Sequence, residues 1–265
     1  MLRAIYNHLF SKQKIHQILS KGQIKDLLNK ERFKIGQQEI FGNNFMYSDN
    51  LGFFHSIEEI FVEECYRFSS LRNNPVIIDC GSNIGLSILY FKRLFPDSKI
   101  IGFEPDKEIF ELLAKNVSSF KLNEITLLNK AVSIDNNPIS FYVEGSLAGS
   151  TVIDFEGLNN VQKIEAVRLK EFLKEKVDFL KIDIEGAENE VIFDIAPELE
   201  NVETLFIEYH SIPNKPQQLG EILNIIKNAG FKYYIKEASN IMQYPFIDRA
   251  AKKFDVQLNI FGYRI

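Results

Sequence analysis

A short glycine-containing segment is the first feature with chemical potential. Asp79-Cys80-Gly81-Ser82-Asn83-Ile84-Gly85 follows the apolar run 76–78 and precedes apolar residues at helical spacing. Glycine has no Cβ, so such a turn bends sharply and lets the backbone approach a ligand closely. In open α/β sheets, ligands bind at the carboxyl ends of the strands. The segment therefore predicts a nucleotide-like ligand, with candidate contacts at Asp79, Gly81, Ser82, Asn83 and Gly85.

A carboxylate at the end of the next apolar run narrows the class of ligand. Glu104 ends segment 99–104 and precedes Pro105, a further candidate contact. An ionised carboxylate at this place accepts hydrogen bonds from both ribose hydroxyls of an adenosine, which NAD and S-adenosylmethionine share. A pyrophosphate favours Gly-x-Gly-x-x-Gly spacing without an adjacent anion. Here Asp79 is acidic and the glycines are spaced Gly-x-x-x-Gly, which favours the cationic S-adenosylmethionine.

Further acids and one histidine follow two later apolar runs. Asp183 and Glu185 come after the run at 179–182, and the next run ends in Glu208-Tyr209-His210. In a doubly wound sheet both ends open on the same crevice, so these side chains would meet a substrate together. We predict His210, Asp183 and Glu185 as catalytic residues, with His210 as a general base of ordinary pKa, about 6.5. Glu188 is interpreted as an acid that complements a helix dipole.

The same acidic region is also a candidate cation site. Asp183, Glu208 and His210 offer the oxygen and nitrogen ligands that Mg²⁺ or Mn²⁺ accept. A bound cation would orient an acceptor hydroxyl and lower its pKa. The sequence leaves metal use open.

The elements that position these residues follow from the alternation of β-rich runs with helical patterns after Pro75. This alternation predicts βαβ units, a mostly parallel sheet and helices on both faces. Strands are predicted at 76–79, 99–104, 125–128, 179–183 and 204–210, with helices near 84–95, 105–117, 186–195 and 218–228. Segments 231–236 and 256–263 predict a closing antiparallel pair. Residues 135–170, with β segments at 139–143 and 165–169, are interpreted as an insertion near the site.

Residues 1–56 are interpreted as a basic helical and hairpin extension of a domain that spans 57–265. A hairpin is predicted from 33–40 and 44–48, and a helix from 57–68. Residues 1–34 carry a net charge of +6, whereas the rest of the chain carries −11. The extension could pack on the acidic body, touch an anionic membrane surface, form a lid or build a homo-oligomer surface.

Composition excludes several classes of protein. The acidic body lacks interleaved basic and aromatic clusters, which disfavours nucleic acid as a partner. No apolar run approaches the length of a bilayer span, and the start lacks a signal-peptide core. With only Cys65 and Cys80, and Cys80 inside the glycine turn, a reducing compartment is the simpler interpretation. We therefore expect a cytoplasmic protein.

The motifs taken together resemble those of FkbM-type methyltransferases. The resemblance runs in order from about residue 75 to 210, and Lys181 to Glu188 is its most distinctive part. It is carried by Val-Ile-Ile-Asp79-Cys-Gly81-Ser-Asn83-Ile-Gly85, Gly102-Phe-Glu104-Pro105, Lys130-Ala131-Val132 and Phe-Leu-Lys181-Ile-Asp183-Ile-Glu185-Gly186-Ala-Glu188.

This resemblance implies a class I, Rossmann-like fold with a seven-stranded sheet, and O-methylation, commonly of sugars or polyketide-type natural products. The first motif would then hold the methionine part of S-adenosylmethionine and Glu104 its ribose. Ala131 and Val132 would lie at the adenine edge, while Asp183 and His210 would face a small-molecule or glycan acceptor.

Two other functions remain open at this point. An NAD(P)-dependent oxidoreductase could share the layout, although the glycine spacing and Asp79 disfavour it. A non-catalytic scaffold or glycan-binding module could retain the fold, although the acids at two strand ends argue against it.

Overall fold

The N-terminal part of the chain forms two helices and a hairpin. The computed structural model describes residues 14–142, 161–239, 242, 244, 246–247 and 254–265. After a helical stretch at 14–18, the elements are α1 Lys21–Asn29, β1 Gly36–Ile40, β2 Asn43–Tyr47 and α2 Asn50–Ile57. The predicted hairpin is confirmed, since β1 and β2 pair antiparallel across Phe41 and Gly42, both at positive φ.

The helix predicted at 57–68 begins and ends at other residues in the structure. Asp49 caps α2 by accepting a hydrogen bond from the Gly52 N–H, so the helix begins seven residues earlier than predicted. It continues as a π-helical turn, Glu58–Val62, and ends there. Glu64 then takes a left-handed backbone conformation with φ of 55°, which cannot continue a helix. A single helical segment therefore crosses the predicted boundary at 56/57, which itself stays a prediction.

The remaining elements alternate as the sequence predicts. In chain order they are β3 Val76–Cys80, α3 Leu86–Leu94, β4 Lys99–Phe103, α4 Lys107–Ser119, β5 Ile125–Leu128, β6 Ala131–Ser133, β7 Ile139–Tyr142, β8 Val161–Ile164, β9 Ala166–Arg168, β10 Val177–Ile182, α5 Glu188–Asp194, β11 Val202–Ser211, α6 Leu219–Asn228, β12 Lys232–Glu237 and β13 Val256–Tyr263. Short 3₁₀ turns at Leu169–Phe172 and Ala196–Asn201 lead into β10 and β11. Gly230, with φ of 87°, follows the end of α6, as predicted for a helix C-terminus.

Seven strands form the central sheet, in the order β12-β13-β11-β10-β3-β4-β5. Six run in one direction, and β13 opposes both of its neighbours, so the predicted mostly parallel sheet and closing antiparallel pair are confirmed. From β3 the chain moves outward to β5 and later returns to β10 on the other side. The direction of strand order thus reverses between β3 and β10, and in such sheets the ligand crevice lies at that reversal.

The core lies on both faces of this sheet. We call residues 14–66 the N-terminal segment. On one face of the sheet, this segment contributes Leu19, Phe45 and Phe53 to the same apolar cluster as Ile77 and Phe91. On the other face, α5 and α6 pack over a second cluster. Asn116 on α4 ties the hairpin to the glycine turn, because its side-chain amide donates to the carbonyls of Met46 and Ile84. The N-terminal segment is therefore part of the structure that surrounds the crevice.

The predicted insertion is described in part. β6 pairs parallel with β9, and β7 pairs antiparallel with β8, beside the main sheet. Residues 143–160, and the basic residues within 1–13, lie outside the described residues. In the part of the chain that the structure describes, no helix combines the length and the apolar character needed to cross a bilayer.

Candidate active site

A cavity of about 240 Å³ opens at the carboxyl ends of β3, β4, β10 and β11. Ten of the predicted site residues line it: Gly81, Ser82, Asn83, Glu104, Pro105, Ala131, Val132, Asp183, Glu185 and Glu208. Asp79, Gly85 and His210 lie behind the wall. The N-terminal segment adds residues that the sequence did not single out: Ser56, Glu59, Ile60 and Tyr66.

The glycine turn brings the backbones after β3 and β10 into contact. Gly81 has φ of 84°, and a Cβ there would overlap the carbonyl oxygen of Asp183. The N–H groups of Gly81 and Ser82 donate to the Phe103 carbonyl at 3.1 and 2.8 Å, which fixes the turn on β4. Gly85, with φ of 93°, begins α3 and leaves no room for a Cβ beside Leu113. The glycines are therefore needed to close the floor of the cavity.

Asp79 lies beneath the turn in a buried ionic cluster. Its Oδ2 accepts a hydrogen bond from Ser87 Oγ at 2.6 Å, and its Oδ1 lies 3.4 Å from Lys181 Nζ. Lys181 Nζ also donates to the Gly81 carbonyl at 2.8 Å and lies 3.2 Å from Asp183 Oδ2. Burial opposes the charged ammonium, but Asp183 and Asp79 together raise the pKa of Lys181 above its ordinary value. Asp79 thus stabilises the turn through Lys181 and does not face the cavity directly.

Glu104 combines a structural contact with an accessible carboxylate. Its two oxygens accept hydrogen bonds from the backbone N–H groups of Asn83 and Asp106, each at 2.9 Å. Only 7% of the residue is exposed, and this burial raises the pKa of Glu104 to about 8. The carboxylate therefore keeps the turn and the start of α4 in register while lining the cavity.

His210 is fully enclosed, and Glu188 holds it. The Glu188 Oε1 atom accepts the His210 backbone N–H at 2.7 Å and lies 3.0 Å from Nδ1. On the other side of the ring, Nε2 lies 3.6 Å from Glu208 and 3.9 Å from Glu185. Burial alone would lower the pKa of His210, but Glu188, with Glu208 and Glu185, raises it well above 6.5.

This environment differs from the expectation of a histidine with an ordinary pKa. A protonated imidazole donates hydrogen bonds and cannot accept a proton, and His210 does not reach the cavity wall. Glu188 was interpreted only as an acid that complements a helix dipole. It does accept the Gly186 N–H ahead of α5, at 2.8 Å, but its second oxygen fixes His210.

Asp183, Glu185 and His210 bring one ligand atom each within 4.8 Å of one another. This set shares Asp183 and His210 with the predicted metal ligands and places Glu185 where Glu208 was expected. Glu185 has φ of 51°, an uncommon backbone conformation that turns the chain back toward the cavity. The metal site stays a prediction.

The strand order, with one antiparallel strand beside the edge, is that of the class I methyltransferase fold. A family model described as the methyltransferase FkbM domain matches residues 79–233, which is more than half of the chain. The chain belongs to the FkbM family of methyltransferases, and the resemblance noted in the sequence is confirmed.

Three curated relatives share about half of the chain. Methyltransferase sdnD of Sordaria araneosa is 29% identical over 170 residues, covering 51% of this chain and 66% of the relative. The 2-O-methyltransferase NoeI of Sinorhizobium fredii is 27% identical, covering 52% and 64%. The hexuronic acid methyltransferase AglP of Haloferax volcanii is 26% identical, covering 57% and 68%. The chain thus spans about two thirds of the length of the relatives it matches.

Solved structures show more distant similarity. A methyltransferase FkbM from Methylobacillus flagellatus aligns with a TM-score of 0.47 and 16% identity, covering 73% of this chain and 44% of that one. M. jannaschii TYW2 in complex with AdoMet aligns with a TM-score of 0.46 and 13% identity, covering 89% of each.

Proposed function

We propose that this protein transfers the methyl group of S-adenosylmethionine to a hydroxyl oxygen of a sugar, glycan or glycosylated natural product. The observation that carries the proposal is the position of Glu104, a buried carboxylate on the cavity wall beside the glycine turn. S-adenosylmethionine supplies a methyl group on a positively charged sulfur, which is a good leaving group. The protein has to bind this cofactor, align an acceptor oxygen with it and take up the hydroxyl proton.

The cofactor would lie along the edge formed by β3, β4 and β6. In this assignment the turn from Gly81 to Gly85 borders the methionine part, and Glu104 accepts the ribose hydroxyls. Pro105, Ala131 and Val132 border the adenine. Asp79 acts from beneath, because its ion pair with Lys181 holds the turn in shape.

The charge of the cavity supports a cationic cofactor. Asp183, Glu185 and Glu208 all line it, and Lys181 offsets part of their charge. Carboxylates attract the ammonium and sulfonium groups of S-adenosylmethionine and repel a pyrophosphate. This electrostatic environment disfavours the alternative of an NAD(P)-dependent oxidoreductase.

The names of two relatives support the acceptor class. NoeI is named a 2-O-methyltransferase and AglP a hexuronic acid methyltransferase. The first name specifies an oxygen as the methyl acceptor, and the second specifies a sugar acid. Asp183, Glu185 and Glu208 are suited to such a molecule, because carboxylates accept hydrogen bonds from neighbouring hydroxyls.

His210 and Glu188 are proposed to position the acceptor side of the cavity. A buried imidazolium between Glu188, Glu185 and Glu208 holds the last two carboxylates in place. Asp183 and Glu185 contact the acceptor in this proposal, whereas His210 acts through them. The pair formed by Glu188 and His210 thus fixes the geometry on which alignment depends.

Mg²⁺ or Mn²⁺ remains part of the proposal. Asp183, Glu185 and a neutral His210 would hold the ion in place of the imidazolium arrangement, and Glu188 would orient the imidazole through Nδ1, as carboxylates do for metal-bound histidines. A bound ion would lower the pKa of a coordinated hydroxyl.

A cytoplasmic location, a homo-oligomer and membrane contact through the basic N-terminus are further predictions from the sequence.

The test uses purified protein, methyl-¹³C-labelled S-adenosylmethionine and a panel of methyl glycosides of hexoses and hexuronic acids. We expect S-adenosylhomocysteine and a product that is heavier by one labelled methyl group. Fluorescence enhancement of NADH by the protein, without any S-adenosylhomocysteine, would favour the oxidoreductase. Binding of S-adenosylmethionine without transfer to any hydroxyl compound would favour the non-catalytic module.

A further inference from the structure

The acceptor side of the cavity carries a carboxylate that the N-terminal segment supplies. Glu59 lies on the π-helical turn Glu58–Val62 and lines the cavity together with Asp183 and Glu208. We propose that Glu59 is the general base that accepts the proton of the acceptor hydroxyl during methyl transfer. This proposal rests on the proposed function.

The π-helical turn explains why Glu59 faces the cavity. In this turn the Glu63 N–H donates to the Glu58 carbonyl at 2.9 Å, five residues back, which widens the helix by one residue. Ile60 and Val62 are buried in the core, so they anchor the turn after Glu59. π-helical turns inside α-helices are rare and occur frequently at functional sites. The segment is therefore locally distorted at the residue that reaches the cavity.

A buried side-chain amide on β13 donates a hydrogen bond to the Glu59 carboxylate. Asn259 Nδ2 on β13 donates to Glu59 Oε1 at 3.2 Å, and Asn259 is only 2% exposed. Its Oδ1 is also buried and has no hydrogen-bond partner among the described residues. A buried amide is costly unless its polar atoms are paired. Burying this incompletely paired amide costs free energy, and from this position Asn259 orients the Glu59 carboxylate.

The surroundings of Glu59 also suit proton uptake near neutral pH. Burial is the main cause that raises the pKa of Glu59 to about 7, and Glu208, Asp183 and Glu63 add to it, whereas Asn259 lowers it. Other titratable groups near the carboxylate include Cys65 and Tyr66 on the same segment and Lys236 on β12. A general base works best when its pKa lies near the operating pH.

The other candidates for the base are engaged with charged partners. Asp183 lies 3.2 Å from the Lys181 ammonium, and Glu208 and Glu185 lie 3.6 and 3.9 Å from His210. His210 is enclosed, and although burial opposes its charge, Glu188 raises the pKa of its imidazole. Among the described residues, no salt bridge involves Glu59. Its carboxylate is therefore the base on the acceptor side that is least stabilised by a neighbouring cation.

The proposed step is balanced in atoms and electrons. The acceptor oxygen forms a bond to the methyl carbon as the bond between carbon and sulfur breaks, and that bonding pair stays on sulfur. The O–H bond electrons remain on the acceptor oxygen, and its proton moves to a carboxylate oxygen of Glu59. The products are a methyl ether, S-adenosylhomocysteine and protonated Glu59, which then returns the proton to water.

The experiment compares Glu59→Gln with Glu63→Gln, a matched change of an exposed glutamate four residues away that pairs with Lys236. Each variant is assayed by single turnover on the glycoside that wild type methylates best, and cofactor affinity is measured in parallel. We expect Glu59→Gln to lower the rate by roughly 10²- to 10⁴-fold, the usual contribution of a general base, with unchanged cofactor affinity. Glu63→Gln should stay within about twofold of wild type, because an exposed ion pair contributes little.

The pH dependence and a conservative variant separate a base from a structural residue. The wild-type rate should rise with pH through about 7 as Glu59 loses its proton, and Glu59→Gln should lack this rise. Glu59→Asp should keep the rise at a reduced rate. A Glu59→Gln rate within about threefold of wild type, or a loss confined to cofactor affinity, would overturn the assignment of the base alone. Failure of wild type to methylate any hydroxyl compound would overturn the proposed function as well.

Discussion

Glu104→Gln removes the charge on which the cofactor assignment depends while keeping the shape of the side chain. Glu104 is 7% exposed and accepts backbone hydrogen bonds from Asn83 and Asp106. Gln can still accept one of these bonds, so the turn should survive. The variant loses a carboxylate that can accept hydrogen bonds from two ribose hydroxyls at once.

The expected loss of affinity follows from the burial of this carboxylate. Hydrogen bonds to a charged group contribute ~1.5–3 kcal/mol each, so two contribute roughly 3–6 kcal/mol. Burial raises the pKa of Glu104 to about 8, so its ionisation at pH 7 costs about 1.4 kcal/mol of that gain. The remaining gain, roughly 1.6–4.6 kcal/mol, corresponds to cofactor binding that is about 15- to 2,000-fold weaker in Glu104→Gln.

Isothermal titration calorimetry with S-adenosylhomocysteine measures this loss and reveals its cause. The empty site holds a protonated Glu104 at pH 7, and ribose hydroxyls favour the ionised form, so binding should release up to about one proton. The measured enthalpy should then depend on the ionisation heat of the buffer, and wild-type affinity should rise from pH 6 to pH 8. The exposed neighbour variant Glu108→Gln should behave as wild type. Unchanged affinity in Glu104→Gln, with no proton release in wild type, would refute the ribose assignment.

Three further changes test other parts of the account. Gly81→Ala should lower the free energy of unfolding by more than ~3 kcal/mol in urea titrations, because its Cβ overlaps a backbone carbonyl, whereas Gly42→Ala, at a similar φ in open space, should cost only ~1–2 kcal/mol. Glu188→Gln should cost roughly 3–5 kcal/mol by leaving His210 buried without its main partner, and a loss below about 1 kcal/mol would contradict the pairing. Because the pKa of His210 is raised in the folded state, its stabilising contribution is present below about pH 6.5 and is lost as pH rises through the folded pKa, so the alkaline loss of stability should shrink in Glu188→Gln. Protein treated with EDTA should regain methyl transfer with Mg²⁺ or Mn²⁺, and equal rates with and without the cation would refute the metal prediction.

Much of the fold could be predicted because it follows from local patterns. Short β-rich runs became buried strands, as at β3 and β10, and helical apolar spacing located α3 and α6. Glu104 was found because it ends a strand next to a glycine turn, a relation that sequence spacing preserves. The start of α2 was missed because its signal, the Asp49 cap, lies outside the apolar pattern of 57–68.

The parts of the site that could not be predicted depend on contacts between distant segments. Lys181 and Asp79 face each other because β10 and β3 pair in a register that aligns these two residues. Glu59 and Asn259 meet across 200 positions, and a π-helical turn sets the direction of Glu59. Glu188 stands at the start of a helix, where an acid complements the helix dipole. The sequence therefore offered no further reason to predict its hydrogen bond to His210. Strand register and helix distortion are set by packing of the whole molecule, which single-sequence patterns do not record.

A crystal structure of the protein with bound S-adenosylhomocysteine would show directly whether Glu104 binds the ribose. We expect both ribose hydroxyls within hydrogen-bond distance of the Glu104 carboxylate and adenine beside Ala131 and Val132. We also expect the sulfur to face the part of the cavity lined by Glu59, Asp183 and Glu208. A ribose placed away from Glu104, or a sulfur that points away from these three carboxylates, would contradict this placement of the cofactor.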